Sequence, residues 1–550
     1  MPIQTIPTKA YMGQEPGTSG LRKKAADFLQ PAYLENFVQS LFDVVRADPE
    51  LGANWGERPL VLGGDGRFYS EVAIQTILKM AAANGVSRVL VGQSGLLSTP
   101  AASAVIRRHQ AFGGIILSAS HNPGGPTGDF GIKFNLANGG PAPVALTDAI
   151  YAQTQRITKY YRSDAPDMDL RETGSFQLEA MHVDVIDSVA DYLDLMRSIF
   201  DFEAIRKLFA RDFRIVVDAM HAVGGPYAKA ILEKELGAAA GSVIRAQPLP
   251  DFGGLHPDPN PVHADHLIEL MNDSRGPDFG AALDGDADRN MVVCRGMVIS
   301  PSDSLAILVE HARLVPAYRD GLVGVARSMP TSTAVDRIAA LLGIPCYETP
   351  TGWKYFSNLL DDNRITLCGE ESYGTGSSHI RDKDGLWAVL FWLNILASST
   401  KSVGSVVTQH WRTHGRTFYC RHDYVGLPMA VAAKLIDNLR FFSQHIHGKT
   451  FGPRKLILAG EFSYTDPVDG SVASGQGLRF VFDDGARVIF RLSGTSTTDA
   501  TLRLYLERFE KKPERQSMST DLALAELAAW ADAVAGIRKR TGRKQPDLVC

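Results

Sequence analysis

The chain has 550 residues, and at roughly 150 residues per domain this predicts about three to four domains rather than one core. Hydrophobic residues make up 45%, charged residues 21% and aromatic residues 9%, which excludes disordered and fibrous classes. Lys+Arg 57 against Asp+Glu 61 leaves a net charge of −4, too weak a field to call for a nucleic-acid partner.

The N-terminal Met-Pro-Ile-Gln-Thr-Ile-Pro shows no basic region followed by an apolar stretch, so no secretory signal is read and a cytoplasmic location is expected. The stretch Pro59 to Arg67 then reads as a strand ending in a glycine loop, with helical spacing from Val72 to Ala83 and a second strand from Arg88 to Gly92. Residues 213–236 repeat that plan, with a strand into a small-residue loop, a helix to about Leu236, and Gly237 as its stop. Residues 321–342 repeat it again, with a loop at Arg327 to Thr331 and a helix from Ser332 to Leu342. Three β-loop-α units at this spacing predict three related α/β domains with mixed or parallel sheets.

The run Leu386 to Ala397 is apolar, but it is too short for a bilayer span of about 20 residues and reads as a buried helix. No membrane association is expected. From about Gly426 the pattern changes to a helix (Pro428 to Ser443), short alternating strands with an Asp483-Asp-Gly485 hairpin turn, and a closing helix from Asp521 to Ala535. This predicts a C-terminal α+β domain. The basic tail Arg538 to Lys544 reads as a solvated terminus. Five scattered cysteines with no C-x-x-C pair point to a reducing compartment rather than to a zinc, redox or disulfide framework.

No Walker phosphate loop, dinucleotide-binding glycine motif, G-x-S-x-G elbow or H-E-x-x-H motif occurs. Four polar, glycine-rich clusters interrupt the apolar runs instead. The first, Ser118-Ala-Ser120-His121-Asn122-Pro-Gly-Gly, presents a hydroxyl beside an imidazole at a strand end, with Lys133 following. Ser120 fits a nucleophile or phosphate carrier, and the loop alone fits an ordinary capped turn as well. In the second, Asp284, Asp286 and Asp288 stand at alternate positions after an apolar strand, where a divalent cation would neutralise them. Oxygen-only ligation favours Mg²⁺, and the competing reading is a solvated acidic turn. The third, Gly369-Glu370-Glu371-Ser372-Tyr373-Gly374, has the carboxylates and hydroxyl that vicinal sugar hydroxyls require, or is a solvated loop. The fourth, Arg491-Leu-Ser493-Gly494-Thr495 with Arg503 downstream, reads as an anion nest or as a hydroxyl-rich hairpin. Together the four describe phosphoryl transfer on a phosphorylated sugar.

On these four loops, taken in order, the sequence resembles the α-D-phosphohexomutases, and the resemblance extends through nearly the whole chain. Supporting stretches are Pro16-Gly-Thr-Ser-Gly-Leu-Arg22, Gly63-Gly-Asp-Gly-Arg67, Asp251-Phe-Gly-Gly-Leu-His-Pro-Asp-Pro-Asn260 and Pro350-Thr351-Gly352-Trp353-Lys354. Glu-Glu-Ser in the third loop resembles the long-chain, glucose-specific branch. The resemblance implies four domains around a central cleft: 1–200 with a phosphoserine loop, 201–310 with a metal loop, 311–420 with a sugar loop, and 421–550 with a phosphate loop. It further implies that Ser120 is the phosphoserine and that its phosphate, with Asp284, Asp286 and Asp288, holds Mg²⁺. Lys133, His121, Lys383, Arg22 and Arg289 would line the reacting phosphate, with the two lysines handling protons. Thr351, Gly352, Trp353, Glu370 and Ser372 would contact the sugar, and Arg491, Ser493, Gly494, Thr495 and Arg503 would grip the non-reacting phosphate.

The implied reaction is reversible interconversion of α-D-glucose 1-phosphate and glucose 6-phosphate through glucose 1,6-bisphosphate, by a monomer or homodimer. Alternatives are a phosphomannose mutase, a glucose-1,6-bisphosphate synthase, or a non-catalytic scaffold relative. Two departures from the pattern are Ala287, where glycine is common, and Asp499 after Ser496-Thr-Thr.

Overall fold

The computed structural model describes residues 3–17, 19–493 and 499–550. Three of its sheets repeat one strand order. In the first, Leu60–Gly64 lies parallel to Arg88–Leu96 on one side and to Gly113–Leu117 on the other, and Asp129–Leu136 closes antiparallel on Gly113–Leu117. The second places Ile215–Asp218, Val243–Ile244, Phe279–Leu283 and Asn290–Cys294 in the same roles. The third does so with Val325–Ser328, Cys346–Thr349, Leu367–Gly369 and Thr375–Ser377. The first strand of each trio begins one of the three units read from the sequence.

Pattern and caps set the helices. Ser98 accepts a hydrogen bond from the Ala101 N–H at the start of Thr99–Arg108, and Pro100 takes a first-turn position where no donor is lost. The strand pairs are close-packed. A Cβ at Gly64 would stand 2.3 Å from the Leu117 carbonyl oxygen, so only glycine lets these two strands meet. One apolar core runs from Val61 and Ile106 through Val217 and Leu283 to Val325, Trp387 and Trp392, and so joins the three units. The run Leu386 to Ala397 lies in the helix Gly385–Ser399, buried along most of its length, with Asp384 capping the Trp387 N–H. Among the described residues no single helix is long and apolar enough to cross a membrane.

The chain then enters an antiparallel sheet of seven strands, containing Arg416–Pro428, Leu478–Phe482, Arg487–Ser493 and Asp499–Glu510. Helices Met429–Ser443 and Thr520–Ala535 contribute to its core, and Gly485, at φ 81°, makes the expected hairpin turn between two of its strands. The architecture is therefore three related mixed α/β domains and a C-terminal α+β domain.

Candidate active site

The first three loops occupy one topological position. Residues 118–128, 284–289 and 370–374 each leave the carboxyl end of the third parallel strand and return as the antiparallel fourth. Open α/β sheets gather ligands at such strand ends.

In the first loop, Ser120 is buried and held at φ 51°, a left-handed conformation that costs a non-glycine residue on the order of 1 kcal/mol or more. Its surroundings fix it there. The Ser120 N–H donates to Ser118 Oγ at 2.7 Å, and Ser118 Oγ donates to Asp65 at 2.7 Å. Arg67, paired with Asp65 and fully buried, donates to the Ser120 carbonyl at 2.7 Å and the Asp129 carbonyl at 2.9 Å. In the sequence Asp65 and Arg67 stand only as part of a supporting motif; their role depends on a loop 53 residues away, which spacing cannot reveal. Arg67→Met strands a buried carboxylate and is expected to destabilise the first domain by about 3–5 kcal/mol in urea titration, with Asp65→Asn in the same chain restoring part of the loss.

Ser120 Oγ donates to Asp284 Oδ2 at 2.8 Å and lies 3.3 Å from His121 Nδ1, so the first loop meets the second directly. Gly285 permits this approach, since a Cβ there would stand 2.4 Å from the Ser120 carbonyl oxygen. Asp284, Asp286 and Asp288 are all buried, with one carboxylate oxygen of each within 4.8 Å of the others. Asp286 Oδ1 and Asp288 Oδ1 are buried without hydrogen-bond partners. Three crowded carboxylates, two of them with an unpartnered buried oxygen, fit a hard divalent cation. Burial, followed by the charges of Asp288 and Asp286, pushes the Asp284 carboxyl well above the usual range. Ala287 holds φ 61°, a turn that glycine makes at lower cost, and the three carboxylates stay grouped around it.

Cations ring this triad. Lys133 Nζ reaches Asp286 at 2.8 Å and Lys383 Nζ reaches Asp288 at 3.1 Å. Burial lowers both amines, but the adjoining carboxylates outweigh it, Asp286 for Lys133 and Asp288 for Lys383, and hold both above the ordinary lysine value. Both therefore stand as cations, suited to phosphate binding and proton donation rather than to proton abstraction. Arg22 is half-buried close to Asp286, Asp288 and Arg289, with its Nε buried and unpartnered. Arg289 donates to Asp258 at 3.4 Å and bridges to Gly374 of the third loop. Burial, reinforced by Arg289 and Arg22, drives His121 well below the ordinary histidine value and leaves it neutral.

In the third loop, Glu370 is buried and accepts the Gly352 N–H at 2.9 Å, which ties it to the Thr351–Trp353 stretch. The Thr351 hydroxyl is buried and unpartnered, and Ser372 is half-buried. Trp353 is 5% exposed, packs on Phe356 and lies against Gly376, so its ring serves the third domain's core. Glu371 accepts from Ser328 at 3.1 Å and from the Tyr505 hydroxyl at 3.1 Å, and Arg491 donates to that hydroxyl at 3.2 Å. This chain of bonds couples the third loop to the C-terminal domain. Arg503 pairs in register with Arg491 and lies 3.7 Å from Asp423. Ser493 ends its strand; Gly494 and Thr495 lie outside the described residues. Asp499 opens the next strand opposite Pro428.

A buried serine hydroxyl on a triad of carboxylates, ringed by cations, suits phosphoryl transfer, and on three related α/β domains followed by an α+β domain it marks the phosphohexomutase class: enzymes that move a phosphoryl group on a phosphosugar. Family profiles agree along the chain. "Phosphoglucomutase/phosphomannomutase, alpha/beta/alpha" domains I, II and III match residues 13–161, 190–296 and 301–414, and the "Phosphoglucomutase-1, C-terminal domain" matches 416–547. The chain is 55% identical over 547 residues to a phosphoglucomutase of Rhizobium radiobacter, covering 100% of both, and 48% identical to phosphoglucomutase-1 of Homo sapiens, covering 100% of this chain and 99% of that one. It also superimposes on the open form of the exocytosis-sensitive phosphoprotein pp63/parafusin, a phosphoglucomutase from Paramecium, at TM-score 0.92 and 46% identity, covering 100% and 99% of the two chains. The chain belongs to the phosphoglucomutase/phosphomannomutase family.

Proposed function

We propose that the enzyme interconverts α-D-glucose 1-phosphate and glucose 6-phosphate, with Ser120 as the phosphoryl carrier and glucose 1,6-bisphosphate as the intermediate. The observation that carries this reading is the Ser120 hydroxyl, buried 2.8 Å from Asp284 within a carboxylate triad. Phosphorylated Ser120 passes its phosphoryl group to the free hydroxyl of the bound sugar monophosphate. The P–O bond to Ser120 breaks, a new one forms to the sugar oxygen, and the proton lost by the sugar hydroxyl balances the one that serine takes up. The bisphosphate then turns so that its other phosphate faces Ser120 and returns to the enzyme, which requires two phosphate sites. Asp284, Asp286 and Asp288 would hold Mg²⁺, which supplies electrophilic charge at the transferring phosphoryl group.

The chain's own residues place the substrate. Lys133, Lys383, Arg22 and Arg289 gather the phosphoryl charge, Glu370 and Ser372 hold sugar hydroxyls, and Arg491 and Arg503 grip the phosphate that does not react. Glu371 and Tyr505 set the sugar loop against the C-terminal domain. Removing their hydrogen bond in Tyr505→Phe is expected to raise KM about 5–10-fold with a smaller change in kcat, an effect of about 1 kcal/mol.

Glucose 6-phosphate formation from α-D-glucose 1-phosphate, with Mg²⁺ and a trace of glucose 1,6-bisphosphate, tests the proposal. Rapid turnover with glucose phosphate, and slower turnover with mannose 1-phosphate, is expected. A preference for mannose phosphate, or net accumulation of the bisphosphate, would replace the glucose assignment by a related mutase or a synthase.

A further inference from the structure

A second set of metal-ligating side chains lies apart from the catalytic loops. The helix Pro301–Glu310 ends on Glu310, and the helix Val403–His414 carries His410 and His414 one turn apart on one face. Glu310 Oε2 lies 2.5 Å from His410 Nδ1 and Oε1 lies 2.9 Å from His414 Nε2. Ligand atoms of all three lie within 4.8 Å of one another, the only described His/Cys/Asp/Glu group besides the aspartate triad to meet that spacing. His410 is 3% exposed at the side chain, whereas His414 and Glu310 are 16% and 24% exposed, so one side of the cluster opens to solvent.

We infer that Glu310, His410 and His414 form a second metal site, selective for Zn²⁺ or a similar first-row ion over Mg²⁺. Two imidazoles and one carboxylate are a frequent three-ligand set for zinc, with water as the fourth ligand, whereas Mg²⁺ requires oxygen donors and octahedral geometry. The contacts now made are hydrogen bonds shorter than the tetrahedral edges of about 3.3 Å around a bound zinc, so an ion would part the donors slightly. The other groups facing the cluster are His311 and Lys401; Asp303 faces His410 from within the core.

The position gives the site a consequence. After His414 the chain passes through Gly415, at φ 87°, into the first strand of the C-terminal domain. An ion at this point ties the end of one helix to another at the entry to the domain that carries Arg491 and Arg503.

Full-length enzyme stripped with chelator, given one equivalent of Zn²⁺ in a large excess of Mg²⁺ and passed through a desalting column, tests the site by metal analysis. About one zinc per chain is expected in the wild type and in Asp284→Asn, with affinity at least about tenfold weaker in Glu310→Gln and His414→Gln. Retention by these two variants equal to that of the wild type, or loss in Asp284→Asn alone, would overturn the inference, because zinc would then sit in the catalytic loop. Wild-type enzyme loaded with Co²⁺ in the same excess of Mg²⁺ provides a readout independent of any variant's folding. Visible absorption of a low-symmetry site with nitrogen ligands is expected, and its absence counts against the site.

Discussion

Ser120→Ala is expected to reduce turnover of α-D-glucose 1-phosphate by at least about 10⁴-fold, equivalent to about 5 kcal/mol of transition-state stabilisation, while leaving the fold intact. The variant keeps the Cβ, the left-handed backbone and the N–H and carbonyl bonds of that position, which hold the loop in place. It loses one hydrogen bond, from Oγ to Asp284, and relieves a carboxylate already crowded by its neighbours. Stability should therefore shift by no more than about 1–2 kcal/mol. Intact mass provides a second readout. Wild type isolated from the cell should contain a fraction heavier by about 80 Da, one phosphate, that the variant cannot carry. Near-normal turnover in the variant would remove Ser120 as carrier and leave the reaction without a covalent step in this loop.

The parts of this site that the sequence displays are those made by neighbouring residues. The loop after Leu117 and the loop after Leu283 each break an apolar strand with polar residues, a conflict that local structure cannot explain. The three repeated strand-loop-helix units show for the same reason, since each is one local period pattern. What spacing hides is closure in space. Asp65 and Arg67 support Ser120 from another loop, Thr99 donates to Asp286 at 2.7 Å from the start of a helix, and Tyr505 reaches Glu371 across 134 residues. Helical phase is equally invisible to spacing at Trp353, where it turns the indole onto Phe356 and Gly376 beside the Thr351–Gly352 stretch. Periodicity is also blind to the π-helical stretch Lys229–Glu235, where the residues suit an α-helix equally well.

Asp284→Asn is expected to lower kcat about 10³-fold, about 4 kcal/mol, and to raise the thermal midpoint of the metal-free enzyme, two effects of opposite sign from one carboxylate. The loss follows from the ligand set, because neutralising Asp284 removes one of the three carboxylate charges available to a cation. The gain follows from charge crowding. Without an ion, Asp284 is buried beside Asp286 and Asp288, and both burial and those charges raise its pKa well above 3.8. The folded protein then holds a proton that the unfolded chain has released, so metal-free stability falls as pH rises from about 4 through the folded value. Asparagine is neutral throughout and escapes that penalty, while its carbonyl can still accept from the Arg289 N–H and its amide can donate to Ser120 Oγ. An advantage of about 1–3 kcal/mol is expected at pH 8, vanishing below about pH 4 where both forms are neutral. Mg²⁺ at about 1,000 times its Kd reverses the order, since binding then stabilises the wild type by about 4.1 kcal/mol and the variant by much less. Thermal scans in chelator and in Mg²⁺, each at pH 5 and pH 8, read all of these terms. A variant less stable than the wild type in chelator at pH 8 would show that the triad is not strained by its own charge, and unchanged activity would show that Asp284 holds no ion.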